Sequence, residues 1–350
     1  MDAIDVGLVE TDGHSHVIAH GGRGYAYPAD LRSALGTVVA DRDLAAYDPL
    51  LDIEAGVTQA HADAIAQFMV DEGLTRADVD LIGLHGQTVF HDPARQVTRQ
   101  LGDGHAVARQ LGIDTVYRFR HADVAAGGQG APLAPLYHRA LAHHLPKPLM
   151  VLNLGGVANV TWLGTDAEND VIAFDTGPAS ALIDDFVRHR TGAAYDEGGA
   201  LAASGHVDEA MLARFMAHPY FQLPAPKSLD RNDFHRLTRE IETLSTIDGA
   251  ATLTAFTVES IAASLHQVPI PPERWVVGGG GRHNRAMMQR LATRLGVAVD
   301  PVEAVGWDGD FLEAHCFGYL AVRSVMGLPL SLPGTTGIAK AMTGGELAKA

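Results

Sequence analysis

The segment Val151–Ser180 constrains the fold of this chain more than any other. Its pattern predicts a strand, a glycine turn at Gly155 and Gly156, a second strand, and a third strand that ends near Asp175. We expect the turn to present backbone amides to a ligand, because glycine reaches positive φ without steric cost. Asp175 follows the apolar run 171–174, which places a carboxylate at the carboxyl end of a buried strand, where open α/β sheets build their sites. The segment therefore predicts an α/β fold with a phosphoryl-transfer layout.

The composition narrows the class of function. The chain has 350 residues, which suggests about two domains. Its 42 acidic and 26 basic residues give a formal charge of -16, which argues against nucleic acid as a partner. Cys316 is the only cysteine, no apolar run approaches the ~20 residues of a membrane span, and the first residues do not resemble a signal peptide. We therefore expect a cytoplasmic protein with no membrane partner.

The chain divides into two halves with related patterns. Pro146 and Pro148 resemble a linker, so we predict an N-terminal domain over 1–147 and a C-terminal domain over 148–350. In the first half, Ala3–Glu10 resembles the strand that leaves a glycine turn, as the second predicted strand does in the other half. The strand and turn that would precede it have no counterpart.

Asp175 has two interpretations on the residues alone. It is a general base near a transferring phosphate, because a carboxylate is ionised at neutral pH and can accept a proton in the transition state. Alternatively, it caps the helix predicted to begin near residue 179, a position that Asp often occupies. The sequence alone leaves both open.

Gly278–Gly281 follows an apolar strand and precedes a predicted helix. Glycine lets the backbone approach a nucleotide closely, and the helix N-terminus favours phosphate. The run matches neither of the common nucleotide-binding glycine motifs, so a tight strand-to-helix turn without a ligand is the alternative.

Five polar residues elsewhere are candidates for a substrate site. His85 and His91 lack acidic or Cys partners at a metal-ligand spacing, which favours hydrogen bonding to a polar substrate, or a satisfied loop, over metal. Arg120 and Asp123 are either a clamp for an anionic group or an internal ion pair. Glu313, at a predicted helix start, binds sugar hydroxyls or favours the helix N-terminus.

Several segments, in order along the chain, resemble anhydro-N-acetylmuramic acid kinases, members of the actin, Hsp70 and hexokinase superfamily. The matching segments are LHGQTVFHDP (84–93), LGDG (101–104), FRHADVAAGGQGAPL (119–133), LNLGGVANVT (152–161), FDTGPAS (174–180), PKSLDRNDF (226–234), TLTAFTVESIA (252–262), VVGGGGRHN (276–284) and LPGTTG (332–337). The resemblance implies two actin-like (ribonuclease H-like) α/β domains with a cleft between them, and a possible homodimer.

The resemblance also implies an activity. Family members use ATP and Mg²⁺ to phosphorylate O6 of 1,6-anhydro-N-acetylmuramic acid while water opens the anhydro bridge, giving N-acetylmuramic acid 6-phosphate in peptidoglycan recycling. Asp175 matches the aspartate that activates the water. Nucleotide binding would fall to Asp2, Asp5, Asn153, Gly155, Gly156, Gly278, Gly279, Gly280, Gly281 and Asn284. Sugar binding would fall to His85, Arg120, Asp123 and Glu313.

The chain departs from the family at its beginning. The family starts with a strand and a loop reading Gly-Thr-Ser-x-Asp, and here Met1–Asp5 fits only the last part of that loop. We therefore expect the first strand of the N-terminal domain to be missing and its neighbours to lack a ladder partner. Either Met1 is an internal methionine of a longer chain, or the protein is a shortened, catalytically weak sugar- or nucleotide-binding homologue. A kinase for another sugar on the same fold is a third interpretation.

Overall fold

The structure, a computed structural model, describes residues 3–229, 234 and 239–350. Its strands are β1 (Ile4–Thr11), β2 (Val17–Tyr25), β3 (Ile82–Gly83), β4 (Gln87–Asp92), β5 (Val97–Leu101), β6 (Thr115–Tyr117), β7 (Leu149–Leu154), β8 (Val157–Leu163), β9 (Val171–Pro178), β10 (Arg274–Gly278), β11 (Ala298–Pro301) and β12 (Glu346–Ala348). Its helices are α1 (Ala29–Ala40), α2 (Arg42–Tyr47), α3 (Leu51–Asp71), α4 (Gly104–Leu111), α5 (His121–Ala125), α6 (Pro135–Leu141), α7 (Ser180–Thr191), α8 (Ala200–Ser204), α9 (Glu209–Met216), α10 (Thr246–Ala263), α11 (Arg285–Leu295), α12 (Leu312–Val325) and α13 (Pro333–Thr336). This mixture confirms the predicted α/β class.

The chain forms two compact units. Unit 1 consists of Met1–His143 and Asp310–Ala350, and unit 2 of His144–Gly309. The boundary near residue 144 lies close to the predicted one. The end of the chain differs from the prediction, because residues 310–350 belong to unit 1 and not to the second domain. The reason is tertiary: α12 packs so tightly on β1 and β3 that a side chain on Gly7 or Gly83 would overlap it.

Unit 2 is built on one five-stranded sheet in the order β11-β10-β7-β8-β9. The consecutive strands β7, β8 and β9 are antiparallel, and β10 and β11 extend the sheet in parallel with β7. Three antiparallel strands extended by two parallel ones form the sheet of an actin-like domain, so the predicted fold is confirmed for this unit.

The two faces of this sheet differ in chemistry. Leu152, Val160 and Phe174 are register partners across β7, β8 and β9, and all three belong to the buried apolar core. The same core contains side chains from α7, α10 and α11, including Phe186 and Phe256. Because side chains alternate between the faces of a strand, the residues next in sequence lie on the opposite face. That face carries the polar residues of the candidate site.

Unit 1 contains smaller sheets. β1 pairs with β2, β3 pairs in parallel with β6, β6 pairs with β12, and β4 pairs with β5. Within the described residues, β1 and β3 each have one edge without a partner strand, and both strands line a cavity of about 670 Å³.

No helix in the described part of the chain is both long enough and apolar enough to cross a bilayer.

Candidate functional site

A row of polar side chains crosses the sheet of unit 2 at the carboxyl ends of β7 and β9. Asn153 of β7 is opposite Asn159 of β8, and Asn159 is opposite Asp175 of β9. All three lie on the face away from the apolar core, and each is partly exposed between buried neighbours. Gly278, the last residue of β10, is the register partner of Asn153 on its other side. The strand register thus brings two predicted glycine turns and the predicted base into one row.

Asp175 is held by a loop that is distant in sequence. The Leu229 amide donates a hydrogen bond of 2.8 Å to Asp175 Oδ2, and the Asp175 amide donates to the Lys227 carbonyl over 2.9 Å. The Tyr220 hydroxyl donates to the Asp175 carbonyl over 2.6 Å. Within the described residues, Asp175 Oδ1 has no hydrogen-bond partner. One carboxylate oxygen is therefore fixed and the other is available to a ligand.

The surroundings of Asp175 change its acidity. Burial raises the pKa of Asp175 to about 6, and the hydrogen bond from the Leu229 amide opposes this rise. A carboxylate with a pKa near 6 is a better proton acceptor than an exposed Asp and is still ionised at neutral pH. The geometry and the pKa both fit a general base.

The helix-cap interpretation of Asp175 is wrong. The N-cap of α7 is Ala179, which makes no side-chain cap hydrogen bond. Asp175 lies within β9, and its carboxylate bonds to Leu229 instead of the α7 amides.

The turn at Gly155 and Gly156 docks on the beginning of α7. The Ser180 amide donates to the Gly155 carbonyl over 3.0 Å, and the Ala179 amide donates to the Gly156 carbonyl over 3.0 Å. Neither glycine has positive φ, contrary to our expectation. A Cβ on either would meet nothing closer than 3.4 Å, so these positions do not require glycine for the fold.

The turn after β10 does require glycine. Gly279 has φ of +77°, and a Cβ there would lie 2.5 Å from Asn153 Oδ1 and 2.6 Å from the Leu154 carbonyl oxygen. A Cβ on Gly281 would lie 2.7 Å from Leu154 Cβ. Gly280 faces open space. The two glycine turns therefore meet across Asn153 and Leu154, which brings together the elements expected to receive a nucleotide.

Arg282 stabilises the Gly279 turn, and it was not among the residues predicted from the sequence. Its Nη1 donates to the Gly279 carbonyl over 3.0 Å, and its Nε donates to Glu303 Oε1 over 2.8 Å. The side chain is 4% exposed, so this ion pair is shielded from solvent on the arginine side. The basic residue directly after four glycines was a usable signal, since such a turn needs a partner for its carbonyls.

Asn284 occupies a helix cap. Its Oδ1 accepts a hydrogen bond of 3.0 Å from the Met287 amide at the N-terminus of α11. The carboxamide oxygen is therefore engaged in the fold. The predicted nucleotide-binding role of Asn284 stays a prediction.

In unit 1, Arg120 contacts His85, another of the predicted sugar-binding residues. Arg120 Nη2 donates to His85 Nε2 over 3.0 Å and Nη1 donates to the Gly130 carbonyl over 2.9 Å. Phe317 packs against both, with its ring centroid 4.4 Å from that of His85 and 5.9 Å from Arg120 Cζ. Burial, and then the Arg120 charge, lower the pKa of His85 well below its usual value, so this ring is neutral at pH 7.

Glu313 and Phe317 lie on the same face of α12, four residues apart. Glu313 is exposed. Burial lowers the pKa of Arg120, and the Glu313 charge opposes this lowering. The cluster thus presents a cation, an anion and a neutral imidazole beside an aromatic ring, which suits the hydroxyl, amide and carboxylate groups of a modified sugar. Phe317 was not among the predicted residues.

Asp123 is buried and engaged within the protein, and its predicted sugar-binding role stays a prediction. It is 2% exposed, and its carboxylate accepts hydrogen bonds from the Gly130 amide (2.7 Å), the Ser331 hydroxyl (2.5 Å) and the Thr336 hydroxyl (2.6 Å). Arg120 binds the carbonyl of the same Gly130, so the two residues share a backbone group and do not form the direct ion pair. The structure favours a positioning role for Asp123.

His91 lies on β4, and both of its ring nitrogens have partners within the protein. Its ring nitrogens lie 2.9 Å from Thr98 Oγ1 and 2.9 Å from the Gln129 carbonyl oxygen. In the described ranges, no group of three His, Cys, Asp or Glu side chains is arranged to hold a metal ion.

The two acidic residues predicted near the nucleotide lie at the beginning of the chain. Asp2 is outside the described residues. Asp5 lies on β1 opposite Gly24, and burial and the Asp310 carboxylate raise its pKa. Two carboxylates therefore lie close enough in unit 1 to repel each other.

The chain matches a known protein family along its length. The family described as anhydro-N-acetylmuramic acid kinase matches residues 1–350. The protein of that name from Acidiphilium cryptum (strain JF-5) is 50% identical over 352 residues, covering 100% of this chain and 95% of the relative. The one from Rhodospirillum rubrum is 49% identical over 345 residues, covering 99% of this chain and 90% of the relative.

Two solved structures are similar at low identity. One is (R)-2-hydroxyglutaryl-CoA dehydratase component A from Acidaminococcus fermentans, with a TM-score of 0.48 and 10% identity over 92% of this chain and 99% of that one. The other is a ROK family glucokinase from Streptomyces griseus in complex with glucose and AMPPNP, with a TM-score of 0.40 and 13% identity over 90% and 94% of the two chains.

Proposed function

This chain belongs to the anhydro-N-acetylmuramic acid kinase family, and we propose that it catalyses the reaction for which that family is named. The γ-phosphoryl group of ATP is transferred to O6 of 1,6-anhydro-N-acetylmuramic acid, and water opens the 1,6-anhydro bridge. The products are ADP and N-acetylmuramic acid 6-phosphate. The observation that carries the proposal is Asp175, a partly buried carboxylate in a row with Asn153 and the two glycine turns, with one oxygen that no described residue engages.

Asp175 is assigned the general base. Water attacks C1 of the sugar and loses a proton to Asp175, while the C1–O6 bond breaks. O6 takes the phosphoryl group, and the bond between the γ-phosphorus and the oxygen that stays with ADP breaks. The pKa of about 6 suits this step, because the carboxylate is ionised at neutral pH and yet accepts a proton more readily than an exposed Asp.

The glycine turns are assigned to the nucleotide. Gly156 is exposed in the β7–β8 turn that it forms with Gly155, and Gly280 faces open space in the turn after β10. Backbone groups bared in this way can approach phosphate oxygens and the nucleoside closely. Asn153, between the two turns, has a carboxamide that can donate to the same ligand.

The unit 1 cluster of His85, Arg120 and Glu313 is assigned to the sugar. A guanidinium can bind the lactyl carboxylate of the muramic acid, and Glu313 can accept from sugar hydroxyls. Asp123 supports this cluster by holding the Gly130 amide, while Arg120 holds the carbonyl of the same residue.

The residues present fit a magnesium ion held mainly by nucleotide phosphates. Mg²⁺ takes oxygen ligands and commonly uses only one or two protein carboxylates together with substrate phosphates. Asp5, whose pKa is raised by burial and by the Asp310 carboxylate, is the residue that would hold it in unit 1. When bound, the ion supplies neutralisation of the phosphate charge. We also propose a cytoplasmic location and a homodimer. Sedimentation velocity tests whether the protein is a homodimer.

The proposal is tested by sugar-dependent release of ADP. With ATP, Mg²⁺ and 1,6-anhydro-N-acetylmuramic acid, we expect turnover that requires the sugar and that Asp175→Asn lowers by about 10²–10⁴-fold. Asp170→Asn is a matched control, because Asp170 lies directly before the first residue of β9, at the end of the strand away from Asp175. The kinase assignment fails if no sugar-dependent ADP forms. The assignment of the base fails if Asp175→Asn keeps full turnover.

A further inference from the structure

Asn159 is the central member of the polar row in unit 2. It pairs with Asn153 on one side and with Asp175 on the other, across a β-bulge between Ala158 and Asn159. Directly opposed residues on one face of a sheet have Cβ atoms about 4.5–5.5 Å apart. Asn159 therefore lies within one side-chain length of the assigned base and of the residue between the glycine turns.

The fold does not account for an asparagine at this position. β8 is an inner strand, with β7 and β9 on its two edges, and Asn is disfavoured in strands. Within the described residues, the Asn159 side chain has no hydrogen-bond partner. It is partly exposed, although its sequence neighbours Ala158 and Val160 belong to the apolar core on the opposite face of the sheet. A carboxamide that bonds to none of the described residues is available to a ligand.

The chemistry of the row specifies the ligand group. Asp175 must face the attacking water, and Asn153 lies against the turns assigned to phosphate. The group that passes between these two positions is the phosphoryl group in transfer, whose equatorial oxygens carry the negative charge of the transition state. An Asn amide offers two N–H donors without a charge, whereas a carboxylate there would repel both the phosphate and Asp175.

We propose that Asn159 Nδ2 donates a hydrogen bond to an oxygen of the transferring phosphoryl group. This inference rests on the proposed function and extends it, because it adds a side-chain contact to the terminal phosphate. The contact is made to ATP and is absent for ADP, which lacks that phosphate. A donor placed on developing phosphoryl charge also raises kcat, and loss of one such donor typically costs about 10²–10³-fold.

The test compares affinities for a non-hydrolysable ATP analogue and for ADP, each with Mg²⁺, by isothermal titration calorimetry. We expect Asn159→Asp to weaken the analogue at least about tenfold and to change ADP affinity less than about threefold. Asn159→Ala should weaken the analogue in the same direction by less. Asn169→Asp is the matched control, since Asn169 is exposed in the loop between β8 and β9.

The outcomes separate this inference from the function. If wild type distinguishes the analogue from ADP and the Asn159 variants do so to the same degree, the Asn159 contact is wrong while the kinase stands. If the variants lose both nucleotides equally, Asn159 is structural and the inference is overturned; melting temperatures of both variants identify loss of fold. If wild type binds neither nucleotide, the proposed function itself fails.

Discussion

The backbone amide of Leu229 donates a hydrogen bond of 2.8 Å to Oδ2 of Asp175. Together with the bond from the Asp175 amide to the Lys227 carbonyl, it ties β9 to a segment more than fifty residues away. The bond leaves Oδ1 as the oxygen that can accept a proton. It also opposes the pKa rise caused by burial, so Asp175 stays ionised at neutral pH.

The first prediction concerns the pH dependence of turnover. The base acts only when Asp175 is deprotonated, and burial raises its pKa to about 6. We therefore expect kcat/KM for the sugar to fall about tenfold per pH unit below pH 6 and to level off above it. The profile is measured between pH 4.5 and 8, with the melting temperature followed at each pH. A profile that stays flat down to pH 5 contradicts the assignment.

The second prediction concerns stability. Because the folded-state pKa of Asp175 lies above the value of 3.8 for an unperturbed Asp, its contribution to stability is fully present below about pH 4 and is lost as pH rises through 6. This loss amounts to at most about 3 kcal/mol. Asp175→Asn avoids it and keeps an oxygen for the Leu229 amide.

Thermal melts of the wild type and Asp175→Asn check this. The variant should melt about 2–6 °C higher at pH 7.5, and the difference should shrink toward zero at pH 4. Asp170→Asn should show no such pH-dependent gain. A variant that is less stable than wild type at pH 7.5 would show that the carboxylate has favourable partners beyond Leu229.

The third prediction concerns the glycine turn after β10. Gly279→Ala forces a side chain onto φ of +77° and against Asn153 Oδ1 and the Leu154 carbonyl. We expect a lower melting temperature and at least about tenfold weaker binding of an ATP analogue. Gly36→Ala is the control, because a Cβ on that helical glycine meets nothing within 4 Å. Unchanged nucleotide affinity in Gly279→Ala would remove this turn from the site.

The fourth prediction separates two neighbouring residues of unit 1. Arg120→Lys removes the fork that reaches both His85 and Gly130, so KM for the sugar should rise at least about tenfold while KM for ATP changes little. Asp123→Asn replaces one acceptor oxygen by an amide that faces donors, which costs about 1–3 kcal/mol per lost bond and lowers the melting temperature. Steady-state kinetics with each substrate varied, together with thermal melts, distinguish the two. A variant at Arg120 that changes only the melting temperature contradicts its assignment to the sugar.

Local pattern was sufficient for the strand, turn and strand around Gly155 and for the placement of Asp175, because strand periodicity and a glycine pair are visible within a few residues. It also located the turn at Gly279. It did not show the conformation of Gly155, because a glycine that avoids positive φ has the same letter as one that needs it.

The interactions that were missed are distant in sequence. Leu229 reaches Asp175 over 54 positions, and Ser331 and Thr336 reach Asp123 over 208 and 213 positions. Residues 310–350 also belong to unit 1 through contacts with residues that are distant in sequence. Asn159 was within reach of sequence reasoning, because the register of a tight hairpin places it opposite Asn153.

The proposed reaction is tested most directly by following oxygen from water into the product. The chain is incubated with ATP, Mg²⁺ and 1,6-anhydro-N-acetylmuramic acid in H₂¹⁸O, and the product is examined by mass spectrometry and ³¹P NMR. We predict a sugar 6-phosphate with one ¹⁸O at C1 and none in the phosphate, formed by the wild type and far more slowly by Asp175→Asn. A phosphate that carries the label, or an anhydro bridge that remains closed, would contradict it.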